Sequence, residues 1–259
     1  MSSTTPKWGI PYSLGSDIAN TIDNTDLARA TLLDGLLTPY DAGARGARPA
    51  STPGTPGKAG RTYRSTADGG VDLDIGTAWA TVMPGLFTAL PATPHDGMEI
   101  HFLADAVNGI IWRLRYRAAS ASAFKWEFIG GSPITAESLV DSSGVSSVAY
   151  IQPTPGVAVT TPLAGDYIVE HGTGGIYASG ANFTTYQSVK FGAAVCLDRD
   201  GFGATPAVAN VSVVPGHCQI QRNGLAAGTG ITVSARTVST AATATLRYRR
   251  LALLPVRVG

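Results

Sequence analysis

The clearest pattern in the chain is a period-two alternation between residues 98 and 128. Met98, Ile100 and Phe102 alternate with Glu99 and His101, then Trp112, Leu114 and Tyr116 with Arg113, Arg115 and Arg117, and finally Trp126 and Phe128 with Lys125 and Glu127. Successive side chains of an extended strand point to opposite faces, so this spacing gathers the aromatics on one sheet face and the charges on the other. Such half-buried strands predict an antiparallel meander, because parallel strands covered on both faces read apolar throughout. Gly130-Gly131-Ser132-Pro133 closes the block.

From Ser143 to Gly259 the pattern breaks into short extended runs: 167–170, 175–179, 187–197, 207–214, 218–222, 231–236 and 244–258. Gly, Pro, Asn and Asp stand at the joints, a turn spacing expected of a β-sandwich or jelly roll. The last run carries Leu246 and Tyr248 against Arg247 and Arg249, then Leu251, Leu253, Leu254 and Val256. It is long and apolar enough for the middle of a core.

The pattern upstream is different. Ile18 and Ile22, then Leu27, Ala30, Leu33 and Leu37, recur at helical spacing between Asp17 and Leu37, with Asn24 or Thr25 able to cap the free amides of a helix starting at Asp26. A helix this short, with Gly35 inside it, is marginal alone and needs a partner surface. Before it, Trp8, Ile10, Pro11, Tyr12 and Leu14 among glycines and prolines read as an extended docking arm. After it, Pro39 to Gly60 loses its periodicity to Gly and Pro and reads as a polyproline-like linker. Arg61 to Val82 then holds short extended runs separated by Asp68-Gly69-Gly70 and Gly76. The expected fold is mainly β: an attachment arm and helix over 1–38, a linker over 39–60, a hairpin module and antiparallel meander over 61–131, and a distal β-sandwich, jelly-roll-like head over 143–259.

Composition narrows the function. Charged residues are 14% of the 259, the formal net charge is +1, and no basic block occurs, whereas nucleic-acid binding draws most of its affinity from a concentrated basic face. No apolar stretch approaches the roughly 18–20 residues that cross a bilayer, and Met1 to Lys7 carry no secretory apolar run. Synthesis in the cytoplasm, delivery by assembly and no membrane insertion are expected. Cys196 and Cys218 are too few for a disulfide framework and lack metal-site spacing, so two buried thiols are the simpler reading, against a single bridge.

A search for chemistry finds little. Asp72 and Asp74 share a strand face and could serve as acid and base, but a solvated hairpin edge accounts for them more simply. Asp198-Arg199-Asp200-Gly201 could offer oxygens to calcium, yet it lacks the further acidic ligand and reads as a bare loop. His95, His101, His171 and His217 form no ligand cluster. No nucleophile elbow, P-loop or dinucleotide fingerprint is present. The chain is therefore expected to be non-enzymatic, with no metal and no cofactor. Tyr177, Phe183, Tyr186 and Phe202 fall in or near expected loops, where aromatic faces can stack on the C–H side of a sugar; core packing is the competing reading for each. Arg113, Arg115 and Arg117 offer either a basic stripe or a charge-paired sheet face.

Three segments carry a family resemblance. Lys7-Trp8-Gly9-Ile10-Pro11-Tyr12 with the helix after it looks like a virion-attaching start. Gly57-Lys58-Ala59-Gly60-Arg61-Thr62-Tyr63 leading into Val71 to Trp79 is similar to the "GxxGRxYxxTDxGxxxxDxGTxW" hairpin module, and Met98 to Gly131 to the segment that follows it. Together these cover about the first half of the chain and resemble minor tail and tail-fibre proteins of tailed phages. The resemblance implies a homotrimer in the virion tail, its amino end fixed to other tail proteins and its carboxyl end outermost, where the head would meet a host surface glycan. The alternatives are a tail-associated polysaccharide-degrading enzyme and a TNF- or C1q-like binding head.

Overall fold

The computed structural model describes residues 60, 62–65, 67–209 and 215–259, together with the backbone of three short strands before them. The expected helix over 17–37, most of the docking arm and most of the linker lie outside the described residues. The chain divides into two compact units, Met1–Leu86 and Phe87–Gly259. It is mainly β, as the alternation required.

In the first unit β1 (Ser2–Thr4) pairs antiparallel with β2 (Pro11–Ser13), and β3 (Tyr40–Gly43) pairs parallel with β4 (Thr62–Ser65). Residues 40–43, expected to open the linker, therefore form a strand. β4, β5 (Val71–Asp74) and β6 (Trp79–Met83) form an antiparallel meander. Its first turn is built by Asp68, which accepts from Gly70 N at 2.8 Å and from Ser65 Oγ at 2.7 Å. The rings of Tyr63 and Trp79 meet edge to face at 6.1 Å. Asp72 and Asp74 are buried, not on the solvated edge expected of them. The reason is the pleat, which turns both toward the side shared by Tyr63 and Ser65, and Asp74 Oδ1 is engaged by Gly76 N at 2.8 Å.

β7 (Gly85–Phe87) leads into the second unit. There β8 (Glu99–Asp105), β9 (Ile110–Tyr116) and β10 (Trp126–Gly131) form the expected meander, in a register that sets Phe102 opposite Trp112, Ile100 opposite Leu114 and Tyr116 opposite Trp126. The remaining strands are β11 (Ile134–Ser138), β12 (Ala158–Thr160), β13 (Gly165–Thr173), β14 (Gly175–Ala178), β15 (Thr185–Phe191), β16 (Phe202–Ala204), β17 (Gly216–Leu225), β18 (Gly230–Thr237), β19 (Ala244–Arg247) and β20 (Arg249–Val258). The large sheet runs β17-β13-β20-β10-β9-β8, with β11 following β10 along the same edge of β20. The smaller sheet runs β12-β18-β15-β16, and β14 pairs with β19. The division expected between 131 and 143 does not separate the sheets: β10 and β11 both pair with β20, so the meander and the carboxyl-terminal strands form one surface.

The two sheets close on a common core, which makes the unit a β-sandwich. Ile100, Trp112, Leu114, Val169, Leu251 and Leu253 come from the large sheet, and Val159, Val189, Ile231 and Val233 from the smaller one. Trp112 is fully buried; its ring centroid lies 6.3 Å from those of Phe102, Phe128 and Tyr167, and its Nε1 donates to Ser132 O at 3.0 Å. On the opposite face Arg113 and Arg115 pair with Glu99 at 3.4 and 3.7 Å, and Arg117 and Arg257 pair with Glu127 at 3.1 and 3.8 Å. The three arginines of the meander are thus charge-paired, not a free basic stripe.

The expected strand over 244–258 breaks at Tyr248, whose φ is 46°. Beside it, Gly174 separates β13 from β14, and both strands leave the large sheet for the two-stranded one at the same corner. A side chain at Gly174 would have its Cβ 2.8 Å from the Tyr248 ring, so only glycine fits there. Gly174 N also donates to Arg247 O at 2.8 Å. The expected strand over 187–197 ends at Phe191, and the β16 strand at 202–204 had no counterpart in the pattern.

Trp112→Ala should cost about 3–5 kcal/mol, the range for truncating a buried aromatic. Thermal or denaturant unfolding of the purified chain measures it; a change under about 1 kcal/mol would mean the ring does not carry the core.

Candidate ligand-binding site

On β15 and β18 the outward row is Tyr186 opposite Arg236, Ser188 opposite Ser234, and Lys190 opposite Thr232. The loop after β15 folds back over this face: Ser188 Oγ donates to Leu197 O at 2.8 Å, and Cys196 is buried. Burial pushes the Cys196 thiol above its ordinary value, with a smaller opposing effect from its hydrogen bond to Ser234. Cys196 and Cys218 are both free.

The loop ends in a single 3-10 turn, Asp198–Asp200. Asp198 is gripped bidentately by Arg236, whose Nε donates to Oδ1 at 3.0 Å and Nη2 to Oδ2 at 2.6 Å, the fork geometry that guanidinium and carboxylate favour. Tyr150 OH donates to the same Oδ1 at 2.7 Å. The Arg236 guanidinium also lies 4.4 Å from the Tyr186 ring centroid and 5.6 Å from that of Tyr150. The Arg236 bond, then that from Tyr150, lowers the Asp198 carboxyl below the ordinary value, while burial and then the Asp198 bond raise the Tyr150 phenol.

Tyr150 reaches this cluster because the segment before β12 is laced to the smaller sheet. Ile151 and Ala235 exchange two backbone bonds at 2.9 and 2.8 Å, and Thr237 N donates to Ser147 O at 2.8 Å. The same segment is held from below by Arg249, a buried arginine at the start of β20. Its Nη1 donates to Pro153 O at 3.3 Å and Pro155 O at 2.6 Å, and its Nη2 to Ser138 Oγ at 3.2 Å and Val140 O at 3.3 Å.

Between the two segments lies a recess of about 490 Å³. Short apolar side chains, Val148, Ala149, Ala193, Ala194 and Val195, form much of the wall, and Tyr150, Lys190, Asp198 and Arg236 supply the polar groups. Small-ligand sites share this make-up, an apolar lining with a few convergent polar groups, and span roughly 300–1,000 Å³. A second recess, about 440 Å³, lies on the outer face of the large sheet over Gly172 and Ala252. Its rim groups already engage each other: Arg250 with Glu137 at 3.8 Å, and Gln219 with Glu170 at 2.6 Å.

Of the four aromatics singled out in the sequence, only Tyr186 belongs to the cluster beside the first recess. Phe183 is buried against Ala178 and Ala242, so it cannot be an exposed platform. Phe202 turns inward and stacks on His171, centroids 5.7 Å apart and planes at 19°. Tyr177 sits on β14 under the Arg247 guanidinium, 4.3 Å from its centroid. Tyr150, Lys190, Asp198 and Arg236 went unrecognised as a group because they are up to 86 positions apart along the chain. The acidic Asp198-Arg199-Asp200 run was visible, but its partners are arginines: Arg236 for Asp198 and Arg222 for Asp200. No group of three metal-ligating side chains occurs among the described residues.

Behind the turn, His171 is closed between the sheets. Its Nε2 lies 3.0 Å from Asp200 O and its Nδ1 3.2 Å from Gln187 Nε2. One neutral tautomer satisfies both, with Nε2–H donating to the carbonyl and Nδ1 accepting from the amide. Burial lowers its pKa from the ordinary 6.5, reinforced by His217 and opposed by the bond to Asp200 O and the Asp200 charge.

No family model matches the chain, and no curated protein matches it. Among solved structures it is similar to the structure of infectious bursal disease virus Gx strain, at 11% identity and a TM-score of 0.26. The match covers 72% of this chain and 41% of that one, so this chain spans well under half of the matched chain's length.

The histidine gives a pH test. A histidine whose folded pKa lies below its unfolded value binds fewer protons when folded, so stability is full above about pH 6.5 and falls as pH drops below it. The urea midpoint should therefore decline from about pH 7.5 to about 5.5, and His171→Gln should flatten that decline. An equal slope in the variant would remove His171 as the cause.

Proposed function

We propose that this chain is a non-catalytic structural and adhesion component of a phage tail or tail fibre. Its amino-terminal segment fixes it to neighbouring tail proteins, three copies share one axis, and the carboxyl-terminal head grips a host surface glycan. The observation that carries the reading is the joining, in one chain, of the Gly57-to-Trp79 hairpin module to a sandwich with a preformed, half-apolar recess at Tyr150. A recess of short apolar walls suits the C–H faces of a sugar ring, and a tyrosine hydroxyl fixed by a carboxylate–guanidinium pair suits its hydroxyl groups. Pre-organisation matters because each side chain frozen on binding otherwise costs about 0.5–1.5 kcal/mol.

Weak single sites suffice in such a device. Three heads on one axis raise the effective concentration for the second and third contacts, multiplying avidity by about 10²–10⁴ where geometry allows. Light scattering of the purified chain should give three chain masses; a monomer would remove the assembly part of the reading. Fluorescently labelled chain should decorate cells that the particle adsorbs to and should compete with adsorption. Tyr150→Ala should weaken single-site affinity about tenfold, about 1.4 kcal/mol, and decoration by trimers by more than that, with the melting temperature little changed. A chain that decorates no such cell and does not compete would leave a purely architectural protein.

A further inference from the structure

We infer that the Tyr150 recess takes a sugar residue bearing an acidic group, a carboxylate or a phosphate, and that Lys190 meets the acid. The inference rests on the glycan-binding reading of the same recess and adds the ligand's charge. It follows from which polar groups there are already committed. Asp198 is held on both oxygens by Arg236 and on one by Tyr150. Arg236 spends two of its donors on that carboxylate, and its guanidinium lies beside the rings of Tyr186 and Tyr150. These two charges cancel. Lys190 is exposed, on the outward row of β15, and has no carboxylate within ion-pair distance among the described residues. The recess thus presents one uncommitted charge, and it is positive.

The remaining groups set what accompanies the acid. Tyr150 OH donates to Asp198, which leaves its oxygen lone pairs to accept from a ligand hydroxyl. Val148 and Val195 are exposed on the wall, with 55% and 83% of their surface open; they offer apolar contact that a bare inorganic anion cannot use. A ring with C–H faces, hydroxyl donors and one acidic substituent uses all three features. The charge contact is solvent-exposed, so its contribution is modest and screened by salt.

The test is the full-length chain on a glycan array that carries uronate-, sialate- and phosphate-bearing oligosaccharides beside neutral ones of matched length. Acidic spots should bind about fivefold more strongly than neutral ones, and Lys190→Gln should erase the difference while Lys190→Arg keeps it. The preference should shrink as salt rises from about 0.05 to 0.5 M. The kind of acidic spot retained separates carboxylate from phosphate. Neutral spots bound as well as acidic ones, or acidic binding untouched by Lys190→Gln, would overturn the inference while glycan binding stood. No spot bound, together with no decoration of cells, would overturn the glycan reading itself and the inference with it.

Discussion

Arg249 is a buried guanidinium with no carboxylate within ion-pair distance among the described residues. It must find oxygen elsewhere, and it finds it at the end of β11 and in the segment between β11 and β12. Three main-chain carbonyls and a serine hydroxyl converge on it from positions 138, 140, 153 and 155. Leaving such a charge unsatisfied is among the more costly things a fold can do, so the segment is held where its carbonyls serve. Tyr150 belongs to that segment, which also supplies one wall of the recess. The site on the surface thus depends on an electrostatic requirement in the interior.

The architecture follows a second requirement, that each half-apolar strand cover its apolar side. The alternation around Trp112, Leu114 and Trp126 was legible because every second residue carries the signal, and the structure buries those residues. The sharing of one large sheet by the meander and β20 was not legible. It depends on pairing across more than a hundred positions, Trp126 with Val258 and Ile134 with Leu253, and local periodicity holds no information on that. The break at Tyr248 was hidden for a similar reason: a tyrosine in the left-handed region is set by the corner it occupies, not by its own preference.

The site was less legible than the fold. Choosing aromatics by their distance from expected strands found Tyr186 and also took in Phe183, which the fold buries in a small core with Ala178 and Ala242. What makes the recess is a coincidence of loops: a strand end that folds back, an acidic turn clasped by an arginine from the next strand, and a tyrosine delivered by a distant segment. Each piece has an ordinary explanation on its own. Asp72 and Asp74 are the converse case, residues that looked chemical or solvated and are buried, Asp74 beside a turn it helps to shape.

The placement of β20 has a mechanical side. The strand has ten residues and is flanked by β13 on one edge and by β10 and β11 on the other. Tension along its axis would load both ladders of hydrogen bonds in shear, many at once, instead of peeling them apart one after another. Its flanking strands come from distant parts of the chain, so the load would spread at once through the meander, β11 and β13.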